Sequence, residues 1–372
     1  MVERSFKIAD IRINGNRPWD IQVHHEGLYR RAIAQGSLGL GEAYMDGWWD
    51  CEGLDEAFCR VLRAEMEGRF RFTFPFIFPL FISVLKAKFL NLQHQSNAFK
   101  VGEHHYDIGN DLYRCMLDKR MVYTCAYWEN AKGLDEAQEA KLDLVCRKLQ
   151  LTKGMHVLDI GCGWGSFAKY AAEQYGVKVT GITISRQQFK LAQETCRGLP
   201  IDLHLKDYRD VSGTFDRIVS LGMFEHVGPK NYRTYMQVVH SCLKEEGLFL
   251  LQTIGSRKLT TSFDPWLDKY IFPHAMIPSI SQIGQSHEGL LIMEDWQNFG
   301  AYYDQTLMAW FNNFDSNWPR LKSHYDGRFY RMWRYYLLSC AGLFRSRRQQ
   351  LWQIVFSKYG VSKGYRRISW EH

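Results

Sequence analysis

An α/β fold is what this sequence predicts, with a parallel, doubly wound sheet in its larger part and a smaller, mainly helical domain ahead of it. Three observations carry that expectation. From Met155 onward, short apolar runs alternate with stretches of helical period, as repeated strand–helix units require. The first of those runs leads into Gly161, Gly163 and Gly165, a turn between strand and helix. The first hundred residues show helical stripes instead. The expected division is therefore 1–100 and 101–372, with residues 263–290 as a cap or insertion in the second domain.

In the first domain, residues 11–13 suit a short strand. Residues 28–34 read as a helix, which the glycines at 36, 39 and 41 then break. Trp48 and Trp49 suit a core or interface cluster, or alternatively a membrane-facing element. Residues 54–65 carry Leu54, Ala57, Phe58, Val61 and Leu62 on one helical stripe. Residues 69–88 hold a phenylalanine-rich run flanked by cations and broken by proline. It is too short to span a bilayer and suits either the lipid interface or a buried helix. His104 and His105 lack a second cluster at ligand spacing, so no metal site is expected. Residues 135–149 form an amphipathic helix with Leu142, Val145, Cys146 and Leu149 on one face.

The alternating part places strands at 155–160, 177–184, 201–205, 215–220 and 248–254, with the last two at 292–296 and 351–356. Helices fall at 166–172, 186–196, 231–243 and 327–345. In a doubly wound sheet, ligand contacts come from the C-terminal strand ends. Those are Asp159, Gly161, Gly163, Trp164 and Gly165, then Thr183, Ile184, Ser185 and Gln188, then Asp207, Tyr208 and Arg209. Ser166 stands where a dinucleotide fingerprint has its third glycine, which favours S-adenosylmethionine over NAD. Many such folds grip the ribose with a carboxylate after the second strand. Here Thr183 to Ser185 stand in that place, so Gln188 or the hydroxyls must serve.

Aromatic content of 15% suggests a large apolar ligand or a membrane surface. A net charge of +7 favours anionic partners. Without zinc-finger spacing or a basic run, nucleic acid is disfavoured against anionic lipid. Nine cysteines without a C-x-x-C pair, and no visible signal peptide, read as free thiols of a cytosolic chain.

Six motifs make a more specific case. They are SLGLGEAYMDGWW at 37–49, YDIGND at 106–111, TCAYW at 124–128, LDIGCGWG at 158–165, GMFEHVGPK at 222–230 and NFGAYYD at 298–304. In content and order they resemble the cyclopropane-fatty-acyl-phospholipid synthases, from about residue 10 to residue 358. The resemblance implies a seven-stranded S-adenosylmethionine-dependent methyltransferase fold. It implies an enzyme that methylates the cis double bond of phospholipid acyl chains and closes a cyclopropane ring. It further implies a homodimer, a cytoplasmic location at the inner face of the membrane, unsaturated phospholipid as substrate, and no nucleic-acid partner. Tyr123 and Thr124, at the head of the third motif, join the cofactor contacts.

The resemblance also implies bicarbonate as the base that removes a proton from the incoming methyl group. Its motif residues map onto Cys125, Glu225, Ile254 and Tyr303. Backbone N–H groups and the Tyr303 hydroxyl donate to the anion, and Glu225 accepts from it. Gln252 stands where the family commonly has His. A carboxamide can still donate to an oxyanion but does not titrate near neutral pH. Cys340 matches a family cysteine proposed as catalytic. Its mid-helix, apolar setting reads instead as lining for an acyl chain. Cys162 reads as structural, and His226 as helix packing. Three other readings stand beside the synthase. They are a related lipid methyltransferase with a methyl-branched or methylene product, a lipid-binding protein with a vestigial cofactor site, and an RNA methyltransferase.

Overall fold

The protein is described from a computed structural model covering residues 6–69, 109–260 and 262–368. The expectations for residues 70–88, for His104 and His105, and for the start of the motif at 106–108 lie outside the described residues.

The chain divides into two compact units. One takes the described residues of Met1–Leu90, Thr261–Pro273 and Gly300–Gln350; the other takes those of Asn91–Thr260, His274–Phe299 and Leu351–His372. The division differs from the one expected at residue 100. Two later segments return to the first unit, and the stretch 263–290 is shared between the units. The return has a packing reason. Helix Gly327–Arg345 lies so close to helix Leu54–Met66 that a Cβ on Gly342 would meet the Asp55 carbonyl oxygen at 2.4 Å. The Arg345 guanidinium joins both partners of that packing, pairing with Asp55 at 2.6 Å and with Asp304 of helix Ala301–Leu321 at 2.9 Å.

Two expectations for the first unit need correction. Of the three glycines, Gly36 interrupts the helix as expected, whereas Gly39 and Gly41 lie within the helix that follows it. Residues Gly27–Met45 form helix on both sides of a kink at Gly36, which takes φ 60° and ψ −132°. A left-handed glycine turns the axis and lets the helix resume. Residues 11–13 form no strand, only an isolated bridge from Ile13 to Ile21. Trp49 is core: it is buried against Tyr44 and Tyr335 and donates Nε1–H to the Leu40 carbonyl at 3.0 Å. Trp48 stacks on His25 at 4.4 Å. Among the described residues, no helix is long and apolar enough to cross a membrane.

The second unit is built on a seven-stranded sheet: β1 His156–Ile160, β2 Lys178–Thr183, β3 Ile201–Leu205, β4 Phe215–Leu221, β5 Leu243–Ser256, β6 Ile292–Asn298 and β7 Gln349–Ser357. The spatial order is β3-β2-β1-β4-β5-β7-β6. Pairing is parallel from β3 through β5, as expected, while β6 and β7 pair antiparallel. Alternate residues face opposite sides and build two cores. Leu158, Ile160, Ile218, Phe249 and Leu251 join one; Val157, Val219, Leu248 and Leu250 join the other. The second core receives Leu142, Val145 and Cys146 of helix Leu134–Lys148 and Leu149 at its C-terminal cap, the face that the sequence pattern singles out. Strand order reverses between β1 and β4, the point at whose C-terminal strand ends such sheets bind their ligands.

Candidate active site

The glycine turn lies at that reversal. Gly161, Gly163 and Gly165 all have positive φ, at 84°, 55° and 81°. At Gly161 a Cβ would come within 2.8 Å of Met223, and at Gly165 within 2.7 Å of the Cys196 Sγ. The turn is therefore closed to side chains at its two ends. At Gly163 the nearest atom is the Gln188 Nε2 at 4.0 Å, so its centre is open.

The residues after β2 meet this loop. Thr183 donates to the Gln188 Oε1 at 3.2 Å, and the Ser185 Oγ accepts the Gln188 N–H at 3.3 Å as the helix cap. Gln188 is thus held by both hydroxyl residues, with its amide nitrogen towards Gly163. Ile184 lies between the two. After β3, Asp207 accepts the Arg209 backbone N–H at 2.9 Å and pairs with its guanidinium at 3.2 Å. The same guanidinium lies 4.7 Å from the centre of the Tyr208 ring.

Asp159, in β1, is buried, and its Oδ2 has no partner. Burial pushes its carboxyl up to about 7, against the pull of Lys141. Lys141 is itself fully buried, and desolvation brings its ammonium down to about 8. Its Nζ donates to the Thr124 Oγ1 at 2.9 Å. Gln138 donates to the Thr124 carbonyl at 2.9 Å, and Asp118 accepts the N–H groups of Arg120 and Val122, both at 2.9 Å. Three buried polar side chains therefore fix the segment carrying Tyr123, Thr124 and Cys125. That segment lies against the end of β4, since a Cβ on Gly222 would meet the Thr124 γ-methyl at 2.7 Å. Tyr123 packs on Tyr113 at 5.2 Å, which packs on Trp164 at 4.9 Å. The sequence reading missed Lys141, Gln138 and Asp118. The signal available for Lys141 was a charge on the apolar face of an otherwise regular amphipathic helix.

Glu225 follows β4. Its Oε1 accepts the Ile254 backbone N–H at 2.6 Å, and its Oε2 is buried without a partner. Desolvation raises its carboxyl to about 6. The sequence expectation gave the Ile254 N–H to an anion; here it is spent on Glu225. Gln252, two residues earlier in β5, is fully buried. Its Oε1 accepts from the Gln353 Nε2 of β7 at 2.9 Å, and its own Nε2 has no partner. Burial lowers the neighbouring His226 to about 4, which favours the neutral imidazole. Cys125 is buried, with its Sγ–H towards the Ala126 carbonyl at 3.3 Å. Burial raises the Cys162 thiol well above its ordinary range, as an inert thiol in the loop would show.

Two expected site residues belong to the helical unit. The Tyr303 ring packs on Phe344 at 4.5 Å, one residue from the Asp304–Arg345 pair. Cys340 is buried in helix Gly327–Arg345, and desolvation pushes its thiol up to about 12, which leaves no thiolate near neutral pH. Among the described residues, no cluster of His, Cys, Asp or Glu could hold a metal ion.

A seven-stranded sheet in this order, with a glycine loop at its reversal point, defines an α/β methyltransferase. The comparisons make the family specific: residues 93–354 match the mycolic acid cyclopropane synthetase family model. The chain is 54% identical over 358 residues to the cyclopropane-fatty-acyl-phospholipid synthase of Escherichia coli K12, covering 96% of this chain and 92% of that one. It is 32% identical to a sphingolipid C9-methyltransferase of Komagataella phaffii, over 91% of this chain and 74% of that one. A mycolic acid cyclopropane synthase, CmaA1, solved with S-adenosylhomocysteine and CTAB, superposes with a TM-score of 0.66. It is 31% identical, over 70% of this chain and 98% of that one. The chain belongs to the cyclopropane-fatty-acyl-phospholipid synthase family of S-adenosylmethionine-dependent lipid methyltransferases.

Proposed function

We propose that this chain transfers the methyl group of S-adenosylmethionine to the cis double bond of phospholipid acyl chains and closes a cyclopropane ring there, with bicarbonate held as the base. When bound, the first group supplies an electrophilic methyl and the second a proton acceptor. The residues fit both. A glycine turn whose centre is open, the unpartnered Asp159 Oδ2, and the Thr183–Ser185–Gln188 network suit a nucleoside with polar substituents. Tyr123, Thr124, Trp164, Asp207, Tyr208 and Arg209 complete that set.

One observation carries the anion. Glu225 leaves a buried acceptor unsatisfied, and Gln252, whose strand also supplies the amide that holds Glu225, leaves a buried donor unsatisfied. Such atoms cost about 1–3 kcal/mol each when left alone. A protic oxyanion satisfies both, giving its O–H to the Glu225 Oε2 and accepting from the Gln252 Nε2. In this arrangement Ile254 fixes Glu225, and Cys125 contributes its backbone. Methyl addition to an alkene leaves a carbocation on the lipid, so the chain must exclude water and offer aromatic faces, each worth about 2 kcal/mol when desolvated.

We further propose that the helical unit docks on the cytoplasmic face of the membrane and that the enzyme acts as a homodimer. The net charge of +7 and the aromatic content support attraction to anionic lipid.

The test combines the protein with S-adenosylmethionine and vesicles of cis-unsaturated phospholipid, with and without bicarbonate. Products are separated by chromatography as well as mass, because a cyclopropane and a methyl-substituted alkene are isomers. A bicarbonate-dependent cyclopropane supports the proposal. A methyl-branched or methylene product moves the chain towards its C9-methyltransferase relatives.

A further inference from the structure

We propose that Gln353, on β7, is a positioning residue that sets which way the Gln252 carboxamide faces; this rests on the anion reading above. The two side chains form a sealed pair, each fully buried. Gln353 Nε2 donates to Gln252 Oε1 at 2.9 Å. That bond uses up the Gln252 oxygen and leaves the Gln252 Nε2 and the Gln353 Oε1 as unpartnered atoms. A carboxamide has two faces of nearly equal shape and opposite polarity. Turned one way, Gln252 offers N–H donors, which attract an oxyanion. Turned the other way, it offers an oxygen, which repels one. Among the described residues the Gln252 side chain has one hydrogen-bond partner, Gln353. The choice falls to the partner. As a donor to Gln252, Gln353 holds the side chain in the orientation that attracts an anion.

The pairing predicts opposite effects of one substitution in two backgrounds. In Gln353→Glu, read at a pH where the new carboxyl is ionised, the side chain can only accept. It therefore draws the Gln252 Nε2 onto itself and turns the oxygen outward. In Gln252→His the same glutamate accepts from one ring N–H and favours the imidazolium, whose second N–H then faces the anion. Bicarbonate binding is read on the full-length protein from line broadening of 13C-bicarbonate, and S-adenosylmethionine binding from tryptophan fluorescence. Gln353→Glu is expected to weaken bicarbonate about tenfold, the scale of one charge-assisted hydrogen bond, with cofactor affinity held within about twofold. Gln353→Met, which frees the flip without reversing it, is expected to weaken bicarbonate about threefold and stands in if the glutamate variant does not fold. The Gln252→His/Gln353→Glu double variant recovers binding to within about threefold of the unaltered chain. Unchanged bicarbonate binding in the folded single variants, or a double variant as weak as Gln353→Glu, overturns the positioning role alone. An unaltered chain that binds no bicarbonate overturns the anion reading and this one with it.

Discussion

The Ile254 amide donates to the Glu225 Oε1 at 2.6 Å and so ties the residue after β4 to the backbone of β5. A carboxylate held by one oxygen keeps the other aimed and unsatisfied. Glu225→Gln retains an acceptor for Ile254 but can place an amide nitrogen where the free oxygen stood. We expect kcat to fall about 100-fold with S-adenosylmethionine affinity unchanged, the scale of losing one preorganised polar partner. An equal loss of cofactor affinity would point to collapse of the strand end instead.

The Glu225 carboxyl is raised from 4.5 to about 6, chiefly by burial. A carboxyl raised in the folded state favours the protonated form. Its contribution to stability is fully present below 4.5 and is lost as pH rises through about 6. The ionised form accepts the anion's O–H in a charge-assisted bond, about twice as strong as a neutral one, so binding is gained over the same rise. At constant bicarbonate ion concentration, binding should increase between about pH 5 and pH 7 with its midpoint near 6. Glu225→Gln should flatten that curve. A midpoint unmoved by the substitution assigns the titration to another group.

Gln252 does not titrate, whereas an imidazole in its place would. Gln252→His should retain bicarbonate dependence and add a second step to the pH profile. Superimposable profiles for the two forms would remove the reason to single out this position.

Cys340, buried and pushed up to about 12, is not a base. Cys340→Ser should keep kcat within about fivefold, with losses read mainly as a lower Tm from the buried hydroxyl. A loss of 1,000-fold or more at unchanged Tm would restore the thiol to the chemistry.

The three glycines of the loop should differ under alanine substitution. Gly161→Ala combines a left-handed φ with a clash on Met223, and Gly165→Ala adds one on Cys196. Gly163→Ala meets only the Gln188 Nε2, at a comfortable 4.0 Å, so its cost is the φ term of about 1–2 kcal/mol. Calorimetry of the three variants should rank Gly163→Ala as the least destabilised. Its cofactor affinity should still fall at least about tenfold, because the added methyl enters the open centre of the turn.

Local signals were enough for the sheet and its loop. Five parallel strands, their order of appearance and the glycine turn follow from apolar alternation and from the few residues that tolerate positive φ. Both are properties of neighbours in the chain. The six motifs likewise named the family, because long ordered strings do not arise by chance. Tertiary structure alone decided three further matters. It returned residues 300–350 to the helical unit, through a close helix crossing at Gly342 and the Arg345 ion pairs, contacts that join residues nearly three hundred positions apart. It resumed the helix through Gly39 and Gly41 after the break at Gly36. It also assigned the hydrogen bonds of the candidate site, giving the Ile254 amide to Glu225, Lys141 to Thr124 and Gln353 to Gln252. Which buried polar atom is satisfied, and which is left free for a ligand, depends on groups from different strands. Sequence names the groups; only the fold brings them within 3 Å of one another.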